Sequence, residues 1–228
     1  MNEQTPVIDL THLSETSESS AEISVIDLTD DVEDFVLSID IGLVNMGLCW
    51  YNATTREISQ LELIKVGETK DSNNLIAKNV GLLVDKWLRE SENRRVISLV
   101  ILEKQIQLIT QKRFGNSKAG TINIVIESSL VAAFTSRGVR TLVVNPGTVA
   151  AKFSLPKCRA EKKSATVKMV TAILNDFEGP RSDLCAQVVK IMTFSHAAVT
   201  VFNSLGKRDD VSDSVLLIFY YCLFLLKL

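Results

Sequence analysis

Ser38-Ile39-Asp40-Ile41-Gly42-Leu43-Val44-Asn45 is the stretch on which the reading of the whole chain turns. Phe35 to Ile41 reads as a buried strand, crowded with Phe, Val, Leu and Ile and carrying one carboxylate near its end. A carboxylate inside an apolar strand is costly unless its charge is paired or bound to a metal. Gly42 follows at once, where a chain turns tightly or lets a ligand approach the backbone. Beyond Asn45 a second apolar strand runs from Met46 to Tyr51. A rigidly held acid followed by a glycine turn is how several phosphate-handling folds begin. A strand whose aspartate merely caps its end would look the same over eight residues, so the distinction rests on the remainder of the chain.

Toward the C-terminus, Asn52-Ala53-Thr54-Thr55 makes a hairpin turn into a third strand, Arg56 to Val66, completing an antiparallel meander. Asn74 to Arg89 has helical periodicity, with Leu75, Leu82, Leu83 and Trp87 toward one side. Val96 to Leu102 is a continuous apolar run, the pattern of a strand buried on both faces, and it ends in Glu103. A helix is expected over 121–137, between Gly120 and Gly138, then a short strand from Thr141 to Val144 and a helical turn from Pro146 to Phe153. Pro156 to Lys168 is the most basic stretch, and 163–176 reads as a helix. Residues 182–205 read as one or two helices, 206–210 as a charged turn, and 212–226 as a final, largely buried helix. This order predicts an α/β fold with a mixed β-sheet, an antiparallel meander followed by parallel strands, flanked by helices.

Upstream of Phe35 the composition changes. Residues 1–34 contain ten Asp or Glu and no Lys or Arg. The whole chain of 228 residues carries −2, so residues 35–228 hold 25 basic against 17 acidic groups, a net of +8. A disordered acidic tail over 1–34 and one folded domain over 35–228 are expected. A basic body suits a polyanion such as nucleic acid. The four cysteines, Cys49, Cys158, Cys185 and Cys222, form no CxxC pair, which predicts reduced, mostly buried thiols and an intracellular, reducing compartment. The polar, acidic start is unlike a secretory signal. The longest apolar run, Val215 to Leu226, is 12 residues, short of the roughly 20 a membrane-spanning helix needs, so no membrane association is expected.

Within the tail a pentapeptide repeats. Val7-Ile8-Asp9-Leu10-Thr11 recurs as Val25-Ile26-Asp27-Leu28-Thr29, followed by Asp30 and Asp31. Islands of β-forming residues in an acidic chain suit strands that form on a partner's sheet edge. The repeats resemble SUMO-interacting motifs. That resemblance implies that Val7, Ile8, Leu10, Val25, Ile26 and Leu28 fill a groove on SUMO while the acids meet its basic rim.

Carboxylates stand at the edges of apolar elements in three places: Asp40, Glu103, and the group Asp209, Asp210 and Asp213. Asp210 and Asp213 are spaced i,i+3 and share a face at a helix start, and Asp209 with Asp213, at i,i+4, does so too. Acids there also complement the helix dipole, but that account leaves Asp40 and Glu103 unexplained. Acids converging in a basic protein repel unless a divalent cation sits between them. Oxygen-only sites and phosphate substrates suit magnesium, and a pair of such ions serves phosphodiester cleavage.

With these residues in view, the body resembles the poxvirus-type Holliday-junction resolvases, RuvC-like members of the RNase H-like superfamily. The residues that carry the likeness are Ile39-Asp40-Ile41-Gly42 with Asn45, Ile101-Leu102-Glu103-Lys104-Gln105, Gln111 to Lys118, Asn145-Pro146, Arg159 to Lys163, and Lys207 to Ser214. Where the family has Ile-Glu-Gln-Gln, this chain has Leu102-Glu103-Lys104-Gln105, which keeps the acid. The resemblance implies an RNase H-like fold and a homodimer that cuts four-way DNA junctions. It implies two Mg2+ ions per site, replaceable by Mn2+, held by Asp40, Glu103, Asp210 and Asp213, with Asp209 as the alternative to Asp210. It also implies a catalytic lysine, Lys163 or else Lys162, and DNA contacts from Gln111, Lys112, Arg113, Lys118, Lys157, Arg159 and Lys162. Glu127 reads as structural or surface, and His196 as packed in a helix. Three other readings stay open: a nuclease of RNA–DNA hybrids or flaps, a SUMO- and DNA-binding scaffold without activity, and half of an actin-like ATPase. The last would need a second glycine-rich phosphate loop, and none is visible.

Overall fold

A computed structural model of the chain describes residues 34–92, 96–105, 118–174 and 183–227. The proposed SUMO-binding residues and Gln111, Lys112 and Arg113 lie outside the described residues. The meander is β1 (Asp34–Asp40), β2 (Met46–Asn52) and β3 (Glu57–Ile64). It is followed by α1 (Asn73–Glu92), β4 (Val96–Glu103), α2 (Lys118–Thr135), β5 (Arg140–Val144), α3 (Pro146–Lys152) and α4 (Arg159–Leu174). The C-terminal part holds α5 (Asp183–Ile191), β6 (Thr193–Phe194), α6 (His196–Ser204) and α7 (Asp209–Tyr220), which runs on as a π-helical turn over Tyr221–Leu225.

Six strands form one sheet in the order β5-β4-β1-β2-β3-β6. The pairs β1–β2 and β2–β3 are antiparallel, whereas β1–β4, β4–β5 and β3–β6 are parallel. The mixed sheet expected from the sequence is therefore the one observed. Strand side chains alternate between faces, and the two cores follow that alternation. Phe35, Leu37 and Ile39 of β1 join Val100 and Leu102 of β4 beneath α1 and α2, where Trp87 stacks on Phe134. Val36 of β1 and Leu99 and Ile101 of β4 lie on the other face, packed with α7. The same alternation puts Asp40 with Val36, and Glu103 with Leu99 and Ile101, so both acids belong to the α7 face. Helix α7 is buried around nearly its whole circumference, as expected of a central helix. Among the described residues no helix is long and apolar enough to cross a membrane.

Several expectations are corrected. Helix α7 begins at Asp209, inside what reads as a charged turn, because Asp209 and Asp210 form its first turn, where acids favour helix formation. Helix α4 begins at Arg159, four residues earlier than its periodicity suggests, because its first three residues are exposed and carry no apolar period. Strand β6 has two residues and no alternation to read; it pairs with β3 through Glu57↔Thr193 and Ile58↔Phe194. Gly120 lies inside α2 rather than before it, while Gly138, at φ 77°, follows the helix end as a left-handed residue. Of the described cysteines, Cys49 and Cys222 are buried as expected, and Cys158 is exposed. His196 is exposed on the first turn of α6 rather than packed.

Candidate metal centre

The turn after β1 is tight: a Cβ at Gly42 would meet the Asn45 carbonyl oxygen at 2.2 Å, so glycine is required there. It leaves Asp40 at the end of β1, 9% exposed. On the neighbouring parallel strand Ile39 pairs with Leu102, which sets Glu103 beside Asp40. Helix α7 lies across this sheet end and brings Asp210, 8% exposed, and Asp213 to the same place. Burial pushes the Asp40 carboxyl well above the ordinary carboxylate range. The Glu103 carboxyl, close enough to share a hydrogen bond, adds to this, and so do the charges of Asp213 and Asp210. Burial likewise raises Asp213 to about 6, with Lys162 and Lys163 opposing and Glu103 and Asp210 adding. The Oδ1 of Asp213 is buried without a hydrogen-bond partner.

Lysines face this cluster. Lys163 of α4 donates to Asp209 and, at 3.3 Å, to Asp210. Lys162 stands 3.9 Å from Glu103. Lys207 donates to Asp210 and lies 3.6 Å from Asp209. Burial opposes the charged form of Lys163, and Asp209 and Asp210 more than offset it, so its pKa is raised. Burial would raise Asp209 too, but Lys163 and Lys207 hold it below the ordinary range.

The structure thus brings together Asp40, Glu103, Asp210, Asp213, Lys162 and Lys163. Of the two candidates on α7, the Asp210 charge adds to the upward shift of Asp40, while Asp209 pairs with Lys163 and Lys207. Lys157 and Arg159 are exposed at the start of α4, outside the cluster. Glu127 accepts a hydrogen bond from the Gln105 backbone N–H at 2.6 Å, fixing the chain just beyond β4, which is a structural role. Among the described residues no three ligand-type side chains already surround one point; Glu103, Asp209 and Asp210 pair with lysines instead. The donor set nevertheless fits a hard divalent cation: carboxylate oxygens only, with one buried oxygen unpartnered. Sequence reasoning gave no separate role to Lys207, two residues before Asp209, or to Ser38 or Gly47.

No protein-family model matches the chain, and no curated protein sequence matches it. Solved structures do. The yeast mitochondrial Holliday junction resolvase Ydc2 is similar over 86% of this chain and 82% of its own, with a TM-score of 0.58 and 16% identity. Thermus thermophilus RuvC, solved in complex with a Holliday junction substrate, matches 76% of this chain and 96% of its own, with a TM-score of 0.43 and 16% identity. The human cytomegalovirus terminase nuclease domain covers 83% of each chain, with a TM-score of 0.41 and 12% identity. The likeness to the yeast resolvase establishes the fold as RNase H-like, and the activity has to come from the residues themselves.

Proposed function

We propose that the protein is a metal-dependent endonuclease that cuts four-way DNA junctions. One observation carries this reading: four carboxylates from β1, β4 and α7 meet at one sheet end, and one buried carboxylate oxygen there lacks any partner. Asp40, Glu103, Asp210 and Asp213 would hold two Mg2+ ions, for which Mn2+ would substitute. When bound, such ions activate water and stabilise the leaving oxygen of a phosphodiester. The chain's own part is to hold four charges together in a half-buried site, and burial behind α7 supplies that rigidity. Lys162 and Lys163 project from α4 into the same space and would meet the negative charge of the scissile phosphate. Lys163 is our candidate for a catalytic lysine. Lys157 and Arg159, exposed one turn earlier, would bind flanking phosphates, as would Gln111, Lys112, Arg113 and Lys118. Phosphate contacts position a nucleic acid without reading its sequence, which suits recognition by branch shape.

On the motifs of the sequence, we take the chain to be of the poxvirus type and to act as a homodimer, whose two sites would cut opposed strands. SUMO is a second partner, through the paired tail motifs. The test is cleavage of a four-way junction, a flap, an RNA–DNA hybrid and a linear duplex side by side, with Mg2+ and with chelator. The junction should be cut fastest, and only with metal. Preferential cleavage of the hybrid would move the assignment to a hybrid nuclease. Binding of the junction without cleavage of any substrate would leave a scaffold.

A further inference from the structure

We propose that Gly47 and Ser38 form a two-point seat that fixes α7 against the sheet, making both positioning residues for the metal centre. The inference rests on the metal-centre reading above and adds what holds its two halves in register. Gly47 pairs with Asp40 across β1 and β2, and Ser38 pairs with Cys49. Strand alternation puts Ser38 on the same face of β1 as Asp40, toward α7.

Strand β2 is otherwise Met, Leu, Cys, Trp, Tyr and Asn. A glycine in a strand interior weakens it and marks a close approach of another backbone. Here that backbone is α7. A Cβ on Gly47 would stand 2.2 Å from the Asp210 carbonyl oxygen, 2.5 Å from its carbonyl carbon and 2.9 Å from the Val211 nitrogen. These are main-chain atoms and cannot rotate aside. Any side chain at position 47 forces the first turn of α7 back by about 1 Å to reach ordinary contact.

The second point lies one turn further along. Ser38 is fully buried, and its hydroxyl donates to the Ser214 carbonyl at 2.7 Å. Gly47 therefore seats the helix at Asp210, and Ser38 seats it at Ser214. Asp210 and Asp213 lie within the turn so bracketed. Asp40 stands two residues from Ser38 on β1 and directly opposite Gly47 on β2. Metal–ligand distances in well-formed sites keep within about 0.2 Å of their ideal values. A shift of roughly 1 Å in α7 against β1 would separate Asp210 and Asp213 from Asp40 and Glu103.

The test is calorimetric titration of Mn2+ into the full chain without DNA, for wild type, Ser38→Ala, Gly47→Ala and Ser195→Ala. Ser195 donates an equivalent hydrogen bond, 2.7 Å to the Ser59 carbonyl, toward the β3–β6 edge of the sheet and away from the acids. Ser38→Ala and Gly47→Ala should raise the Mn2+ Kd by about 10–100-fold, the usual cost of losing a group that orients a metal ligand. Ser195→Ala should lower Tm and leave the Mn2+ Kd unchanged. Wild-type Mn2+ affinity in Ser38→Ala would overturn the inference, as would an equal loss in Ser195→Ala, which would reduce the seat to general packing. Should Gly47→Ala not fold, Ser38→Ala decides alone. Absence of Mn2+ uptake by wild type would defeat the metal-centre reading itself and the seat with it.

Discussion

Asp213→Asn tests whether the acids are held together against their own repulsion. Burial raises the Asp213 carboxyl from 3.8 to about 6. Because the folded pKa is the higher one, folding favours the protonated form. The stabilisation from that proton is fully present below the unfolded pKa and is lost as pH rises through about 6. At roughly 1.36 kcal/mol per unit, ionised Asp213 costs the metal-free fold about 3 kcal/mol at neutral pH. Asparagine keeps the shape and removes the charge. The metal-free variant should therefore exceed wild type in stability by about 3 kcal/mol at neutral pH, or about 6–12 °C in Tm for a domain of this size. Near the ordinary carboxylate pKa the two should be about equal. Urea denaturation in chelator across this pH range measures the difference. A variant no more stable than wild type at neutral pH, or a difference that does not change with pH, would refute the reasoning. With divalent metal present the order should reverse, since a cation that binds only the folded state stabilises it and the variant has lost a ligand.

Three further outcomes are expected. Lys163→Ala should slow single-turnover junction cleavage by about 100-fold or more if the lysine acts in proton transfer; a loss fully recovered at saturating enzyme would make it a phosphate contact only. Removing the charge at Lys157 or Arg159 should each reduce the salt dependence of junction binding by about 0.9 in the log–log slope, and unchanged slopes would put both residues off the DNA path. Alanine at Val7, Ile8, Leu10, Val25, Ile26 and Leu28 should abolish binding to a SUMO chain while junction cleavage proceeds at the wild-type rate; equal SUMO binding by wild type and variant would remove that partner.

The fold was legible where burial imposes a period. Phe35 to Asp40 and Val96 to Glu103 announce themselves because, apart from Ser38 and Ser98, their side chains are apolar up to the terminal acids, which stand out against that background. Glu103 and Asp40 could be paired only loosely from sequence, since their adjacency depends on the parallel register of β1 and β4. The start of α7 was obscured because Lys207 to Asp210 carries four charges and reads as a turn, although its acids are what stabilise the first helical turn. The two-residue β6 carries no period at all. Gly47 carries no signal of its own within the apolar run from Met46 to Tyr51. Its use depends on a helix more than 160 residues later in the chain, a contact that no local pattern encodes.

The measurement closest to the central claim is single-turnover cleavage of a four-way junction by wild type, Asp40→Asn and Glu103→Gln, with Mg2+ and with chelator, alongside junction binding by each. Wild type should cut only with Mg2+, and both variants should bind the junction as tightly as wild type or more tightly while failing to cut it. Wild-type cleavage in chelator, or near-normal cleavage by either variant, would contradict a metal centre built on Asp40 and Glu103.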